Sequence, residues 1–160
     1  MPSARPNLAR AWWPAIVWIG LITFESTDYL SSQNTGSILY NLLTRLFGEI
    51  NLYEFLYWHH YVRKVGHVVG YAMLGLLLLR GLWMTFADRP DRIRLLPVFA
   101  WLGTAFVATM DEWHQSYIPS RTGTPWDVLL DSGAGLSVLI LWYLLWRIRS
   151  RRIALFNKET

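Results

Sequence analysis

Four hydrophobic runs, Ala11–Phe24, Val65–Leu79, Leu95–Met110 and Ser132–Trp146, constrain this chain more than any other feature. Each falls short of the roughly 20 apolar residues that cross a bilayer as a helix, and each becomes long enough once the polar residues at one end are included. A soluble bundle with unusually apolar helices is the competing reading. The ends of the runs argue against it, because they sort by sign. Arg10 precedes the first run, Arg80 closes the second, Arg94 precedes the third and Arg147 follows the fourth. If consecutive runs cross in alternating directions, these four ends share one side.

That side collects Arg5, Arg10, Arg80, Arg89, Arg92, Arg94, Arg147, Arg149, Arg151, Arg152 and Lys158, eleven of the 15 Lys and Arg residues. Only Arg45, Arg63, Lys64 and Arg121 fall opposite. This asymmetry is the positive-inside signature and places both termini of a multi-pass membrane protein in the cytoplasm. Composition agrees, with 16% charged residues against about 25% in soluble domains. Many of the 10 Trp residues lie near the run ends, as in an interfacial aromatic belt. The net charge of +4 is thereby absorbed by orientation, and no nucleic-acid partner is expected. With no Cys, thiolate chemistry is excluded. Arg5 and Arg10 before an apolar run resemble a signal peptide, but no A-x-A-like site follows, so the run reads as an uncleaved first span.

The expected fold is therefore all-α: one domain over 1–160, an integral membrane four-helix bundle with spans at about 11–30, 64–86, 93–112 and 126–147. Between the first two spans, SSQNTGS is turn-like, and Leu39, Leu42, Leu43, Leu46, Phe47 and Ile50 recur at helical spacing, with Arg45 and Glu49 paired four apart. The aromatic stretch NLYEFLYWHHY follows. This region reads as an extracytoplasmic interfacial amphipathic helix and an aromatic segment lying over the outer face.

The outward ends carry the chemistry. Glu25 and Asp28 end the first run, Lys64 and His67 open the second, Asp111 and Glu112 end the third, and Asp127 and Asp131 open the fourth. His59, His60, His67 and His114 all fall on that side. Ionisable groups at membrane depth are costly and face a protein interior or a wet cavity. Lys64 and His67 share a helix face with Tyr71 a turn beyond, and Gly66 and Gly70 form a small-xxx-small pair suited to close helix approach. Asp111 and Gln115 are one turn apart, with Glu112 pointing away from them. The turn YIPSRTG supplies Arg121, Thr124 reads as an N-cap with Pro125 at the first helical position, and Asp127 follows where a carboxylate favours the helix start. Asp131 lies too deep to cap and needs a partner, which Arg121, Lys64 or His67 could supply. Gly133 and Gly135 leave room for another chain or a ligand.

At this point the chain resembles the VanZ-like family of membrane proteins. The resemblance rests on a loose F-x-S-x-Q-like element in FESTDYLSSQ, on K-x-x-H in KVGHVVGYAMLG, and on D-E-x-x-Q followed by R and D in DEWHQSYIPSRTGTPWDVLLDSGAG. It implies a bacterial inner-membrane protein with a site formed by Lys64, His67, Tyr71, Asp111, Glu112, Gln115, Arg121 and Asp127, and with Gly135 beside it. At 131 the family pattern commonly shows Asn, so Asp131 is a departure that adds an acidic group. The family's namesake is associated with low-level resistance to the glycopeptide teicoplanin, without an established reaction.

Three functions fit these residues. The first is binding of an envelope amphiphile, a membrane lipid head group or a lipidated glycopeptide, with Lys64, His67 and Arg121 meeting phosphate or carboxylate and Asp111, Glu112, Gln115 and Asp131 accepting from hydroxyl or ammonium groups. The second is an intramembrane hydrolase or transferase acting on an envelope lipid, with His67, Glu112 and Asp131 as candidate catalytic groups. The third is a proton-coupled transporter, which four spans would build only as an oligomer. A divalent metal held by His67, Asp111, Glu112 and Asp131 is chemically possible, but no two of these share a standard ligand spacing such as H-E-x-x-H, so neither a metal nor another cofactor is expected.

Overall fold

The computed structural model describes residues 7–86 and 93–159, with side chains as far as Arg151. Arg5, Arg89 and Arg92 of the basic side lie outside the described residues, as do the side chains of Arg152 and Lys158. Among the described residues all regular structure is helical: α1 (Leu8–Glu25), α2 (Ser32–Phe47), α3 (Leu52–Thr85), α4 (Leu96–Gln115) and α5 (Pro125–Glu159), with single 3-10 turns at Asp28–Leu30 and Ile93–Leu95. α3 is the centre of the arrangement and packs on α1, α4 and α5, while α4 and α5 pack on each other.

Three stretches, Leu52–Thr85, Ile93–Gln115 and Pro125–Arg151, are long and apolar enough to cross a membrane. α1 is not in that group: its 18 residues include Arg10, Pro14 and Glu25. It nevertheless runs along α3, burying Ala11, Ala15 and Ile22. The distribution of exposure is that of a protein in lipid. Val17, Val69, Phe99, Phe106 and Leu141 face outward, whereas Asp111, Glu112, Gln115 and Asp131 are buried. In water such an apolar surface would be an aggregation liability; in a bilayer it is the solvent-facing side.

The core is built from Ala15, Ile22, Tyr71, Leu74, Leu78, Leu79, Leu96, Ala100, Ala108 and Leu139. Its closest approach lies where small residues meet. A Cβ on Gly75 would stand 3.5 Å from the Gly135 backbone, and one on Gly135 would stand 2.7 Å from Thr104 Cγ2. Gly66 and Gly70, expected from their spacing to make such a contact, have nothing within 4 Å of a built Cβ. The helices converge about one turn deeper than that spacing suggests, at Gly75. Gly70 contributes through its carbonyl instead, which accepts from Trp18 Nε1 at 2.8 Å.

Pro14 gives Arg80 a structural task. A proline inside a helix cannot donate to the carbonyl four residues back, here that of Arg10. The Arg80 guanidinium donates to that carbonyl at 3.3 Å and to the Ala11 carbonyl at 2.9 Å, tying α1 to α3.

Between α1 and α3 the structure departs from expectation in two ways. Gly48, at a φ of 87°, ends α2 at Phe47, so Glu49 and Ile50 leave the helix and the Arg45–Glu49 pair is not a helical one. Asn51 then caps a new helix, its side chain accepting from Tyr53 N and Glu54 N. The aromatic segment is thus the beginning of α3, not a separate roof, and the helix starts at Leu52 where the second span was expected near 64. At 34 residues, α3 is about 51 Å long, against a hydrocarbon thickness of about 30 Å. Its first turns therefore project beyond the apolar layer.

Candidate functional site

The Glu25 end of α1, the first turns of α3, the Gln115 end of α4 and the Pro125 end of α5 come together, and the residues there form two storeys. The lower storey centres on Asp111 at the end of α4. Its carboxylate accepts from the Ser26 hydroxyl, from Tyr71 Oη at 2.9 Å and from Gln115 Nε2 at 3.1 Å. Gln115 Nε2 also lies 3.3 Å from Ser26 Oγ. Ser26, Tyr71, Asp111 and Gln115 are all buried. A buried carboxylate satisfied by three neutral donors fixes the geometry of the helices that supply them, here α3, α4 and the residue closing α1.

The upper storey is a cavity of about 320 Å³. α3 contributes Leu56, His59, His60, Arg63, Lys64 and His67; α4 contributes Glu112 and Gln115; Ser120, Arg121 and Thr122 come from the turn; α5 adds Asp127, Leu130 and Asp131. Ser32 and Gln33, at the start of α2, complete the rim. Of the nine residues expected to form the site, seven line this cavity, namely Lys64, His67, Glu112, Gln115, Arg121, Asp127 and Asp131. Tyr71 and Asp111 sit beneath it.

The charges are arranged in separate engagements. Lys64 Nζ bonds Asp127 Oδ1 at 2.5 Å. Asp127 Oδ2 accepts from Thr124 Oγ1 at 2.9 Å, and Asp127 N donates back to that hydroxyl at 3.2 Å, which is the cap expected at the start of α5. Of the three partners open to Asp131, the structure selects His67: Nδ1 lies 3.3 Å from Oδ2. The second oxygen, Oδ1, is buried with no hydrogen-bond partner. Glu112 Oε2 accepts from Thr124 N at 2.9 Å.

Arg121 meets no carboxylate within ion-pair range among the described residues. Its guanidinium instead donates to the carbonyls of Glu25 and, at 2.9 Å, Thr27. A cation at exposed helix-end carbonyls is favourable, and the contact straps the α4–α5 turn to the end of α1. Burial, and the Arg63 charge nearby, push its pKa down, though a guanidinium stays protonated. Its Nε is buried and unpartnered. Arg63 makes a parallel contact, donating to Leu30 O at 2.8 Å.

Sequence reasoning missed Ser26, Arg63 and Gly123. Ser26 is the serine of the F-x-S element, the weakest of the three motifs. Gly123 has no spacing signal, yet a Cβ there would fall 2.2 Å from Glu112 O, so only glycine lets the turn cross the end of α4. His67, Glu112 and Asp131, grouped in the sequence as candidate catalytic groups, lie on three different helices and are brought close together. One donor atom from each lies within 4.8 Å of the others.

Comparison with known proteins places this chain in a family. The VanZ/LLP1 family model matches residues 11–147, from α1 through the apolar part of α5, and the chain belongs to that family. No curated protein and no solved structure matches it.

Proposed function

We propose that this VanZ/LLP1 membrane protein captures an envelope amphiphile by its anionic head group in the cavity at its outward end, the tail lying against lipid-facing helices. The observation that carries this reading is a cavity that joins unspent cationic donors to an apolar edge. Arg121 Nε is buried without a partner, and Lys64 has three donors of which one is engaged by Asp127. Leu56 and Leu130 line the same cavity and are themselves exposed. Phosphate or carboxylate would draw on the donors, and an acyl chain would leave past the leucines. The family's association with glycopeptide resistance is consistent with a lipid-linked or lipidated cell-wall compound as the occupant.

In this reading α1 is the fourth span, both termini are cytoplasmic, and the cavity opens outward. α2 supports the placement. Ile38, Leu42, Leu46 and Phe47 are exposed, as in a helix lying in the interface with its apolar stripe in lipid.

The test uses purified protein in detergent titrated with a fluorescent short-chain phosphatidic acid. Arg121→Ala should weaken binding about 10- to 100-fold, the range set by losing a hydrogen bond to a charged group. The uncharged diacylglycerol analogue should bind weakly to both proteins. Equal affinity of the wild type for both lipids would refute head-group capture. A second reading, an intramembrane hydrolase or transferase, is favoured by one feature: His67 is oriented by Asp131 in the wall of the cavity, as a general base would be. Loss of turnover in His67→Gln with affinity retained would select the enzyme, whereas loss of affinity itself would make His67 a binding contact.

A further inference from the structure

The upper storey is short of positive charge where its carboxylates are most buried. Glu112 and Asp131 are 5% and 0% exposed. None of the fixed cations around them reaches these two carboxylates: Lys64 bonds Asp127, Arg63 donates to Leu30 O, and Arg121 donates to the carbonyls of Glu25 and Thr27. Within ion-pair range among the described residues, Asp131 has only the His67 imidazole and Glu112 has no partner. Buried carboxylates without compensation are strongly unfavourable. Asp131 Oδ1 adds a second, independent sign, since it is a fully buried acceptor with nothing donating to it, in the wall of the cavity.

We propose that His67, Glu112 and Asp131 bind a divalent transition-metal ion of the Zn²⁺ or Mn²⁺ class. One imidazole and two carboxylates supply three donors and two negative charges, which a divalent ion neutralises. The mixed set selects among ions. Mg²⁺ and Ca²⁺ take oxygen ligands, whereas imidazole with carboxylates suits Zn²⁺ and Mn²⁺. The donor atoms lie within 4.8 Å of one another; tetrahedral bonds of about 2.0–2.2 Å need separations near 3.5 Å, so the ligands close by about 1 Å. That movement is small for a Glu side chain at the end of a helix. All three residues line the cavity, so an ion held by them would keep positions open for water or substrate. One ligand is already held from outside the trio: Thr124 N donates to one oxygen of Glu112 and leaves the other for the ion. The site deepens the amphiphile reading, because the ion would add a Lewis-acidic contact for the same head group, but it stands on these three side chains alone.

The experiment needs no lipid ligand, so it can fail independently of head-group capture. The full chain in detergent is stripped with a chelator, dialysed separately against Zn²⁺, Mn²⁺, Mg²⁺ and Ca²⁺, and assayed for bound metal. Wild type should retain one equivalent of Zn²⁺ or Mn²⁺ and melt at higher temperature with the ion than without it. His67→Gln and Asp131→Asn should each lose the equivalent and the thermal shift, and His114→Ala, which alters an exposed histidine, should keep both. Two variants on different helices guard against misfolding of one, and the melting transition of the stripped proteins identifies a folded sample. Metal retained equally by folded His67→Gln and Asp131→Asn, or a wild type that takes up neither Zn²⁺ nor Mn²⁺, would overturn the site. A preference for Mg²⁺ or Ca²⁺ would overturn the assignment of ion class.

Discussion

At the scale of single residues, the division into storeys separates positions that hold the site from positions that face a ligand. Tyr71 belongs to the first kind. Removing its hydroxyl takes one of three donors from the buried Asp111 carboxylate. Tyr71→Phe should therefore cost about 1–3 kcal/mol of stability, read as a lower midpoint in detergent denaturation. An unchanged midpoint would mean Asp111 is reached by water. Gly123 makes a sharper case. With its built Cβ 2.2 Å from Glu112 O, Gly123→Ala should displace the turn that carries Arg121 and Thr124, lowering both stability and lipid affinity. Residue types and spacing revealed the candidates Lys64, His67, Glu112, Arg121, Asp127 and Asp131, because ionisable groups stand out in apolar helices. They could not reveal which groups pair. Lys64–Asp127 and His67–Asp131 depend on how α3 and α5 are rotated against each other, and that rotation is set by the Gly75–Gly135 contact deeper in the bundle.

At the scale of helices, the periodic signal was strongest where a helix has one apolar face and weakest where it is apolar all round. The amphipathic stretch from Leu39 was legible, but its end was not, because a positive-φ glycine at 48 and the Asn51 cap override a hydrophobic spacing that runs on through Ile50. The interhelix contacts depart from the expectation at Gly66 and Gly70 and meet it at Gly135. Gly135→Ala should destabilise by about 1–3 kcal/mol through overpacking against Thr104, while Gly66→Ala, whose added methyl meets nothing within 4 Å, should leave the midpoint unchanged or raise it, since alanine favours a helix. Equal effects at both positions would contradict the packing described. Arg80→Met tests the tie across Pro14. It keeps a long side chain and removes the donors to Arg10 O and Ala11 O. It should loosen α1, seen as faster amide exchange in Leu8–Glu25 than in α4.

At the scale of the molecule, the proposed orientation follows from the eleven-to-four division of basic residues. Reporter fusions at Ser150 and within 86–91 should read cytoplasmic, and fusions near Thr35 and Gly123 should read outside. A cytoplasmic signal at Gly123 would invert the hairpin of α4 and α5 and close the cavity to the outer leaflet. The central claim is that helix ends far apart in sequence build one cavity with one ligand. A double-mutant cycle on Arg121→Ala and Asp131→Ala, measured as affinity for short-chain phosphatidic acid in proteins of verified fold, addresses it most directly. Both residues line the same cavity, though on different elements and without a direct bond. A shared ligand should couple them by about 0.5–3 kcal/mol, the double variant losing less than the sum of the single losses. Additive losses within about 0.5 kcal/mol, as for independent positions, would contradict a single site.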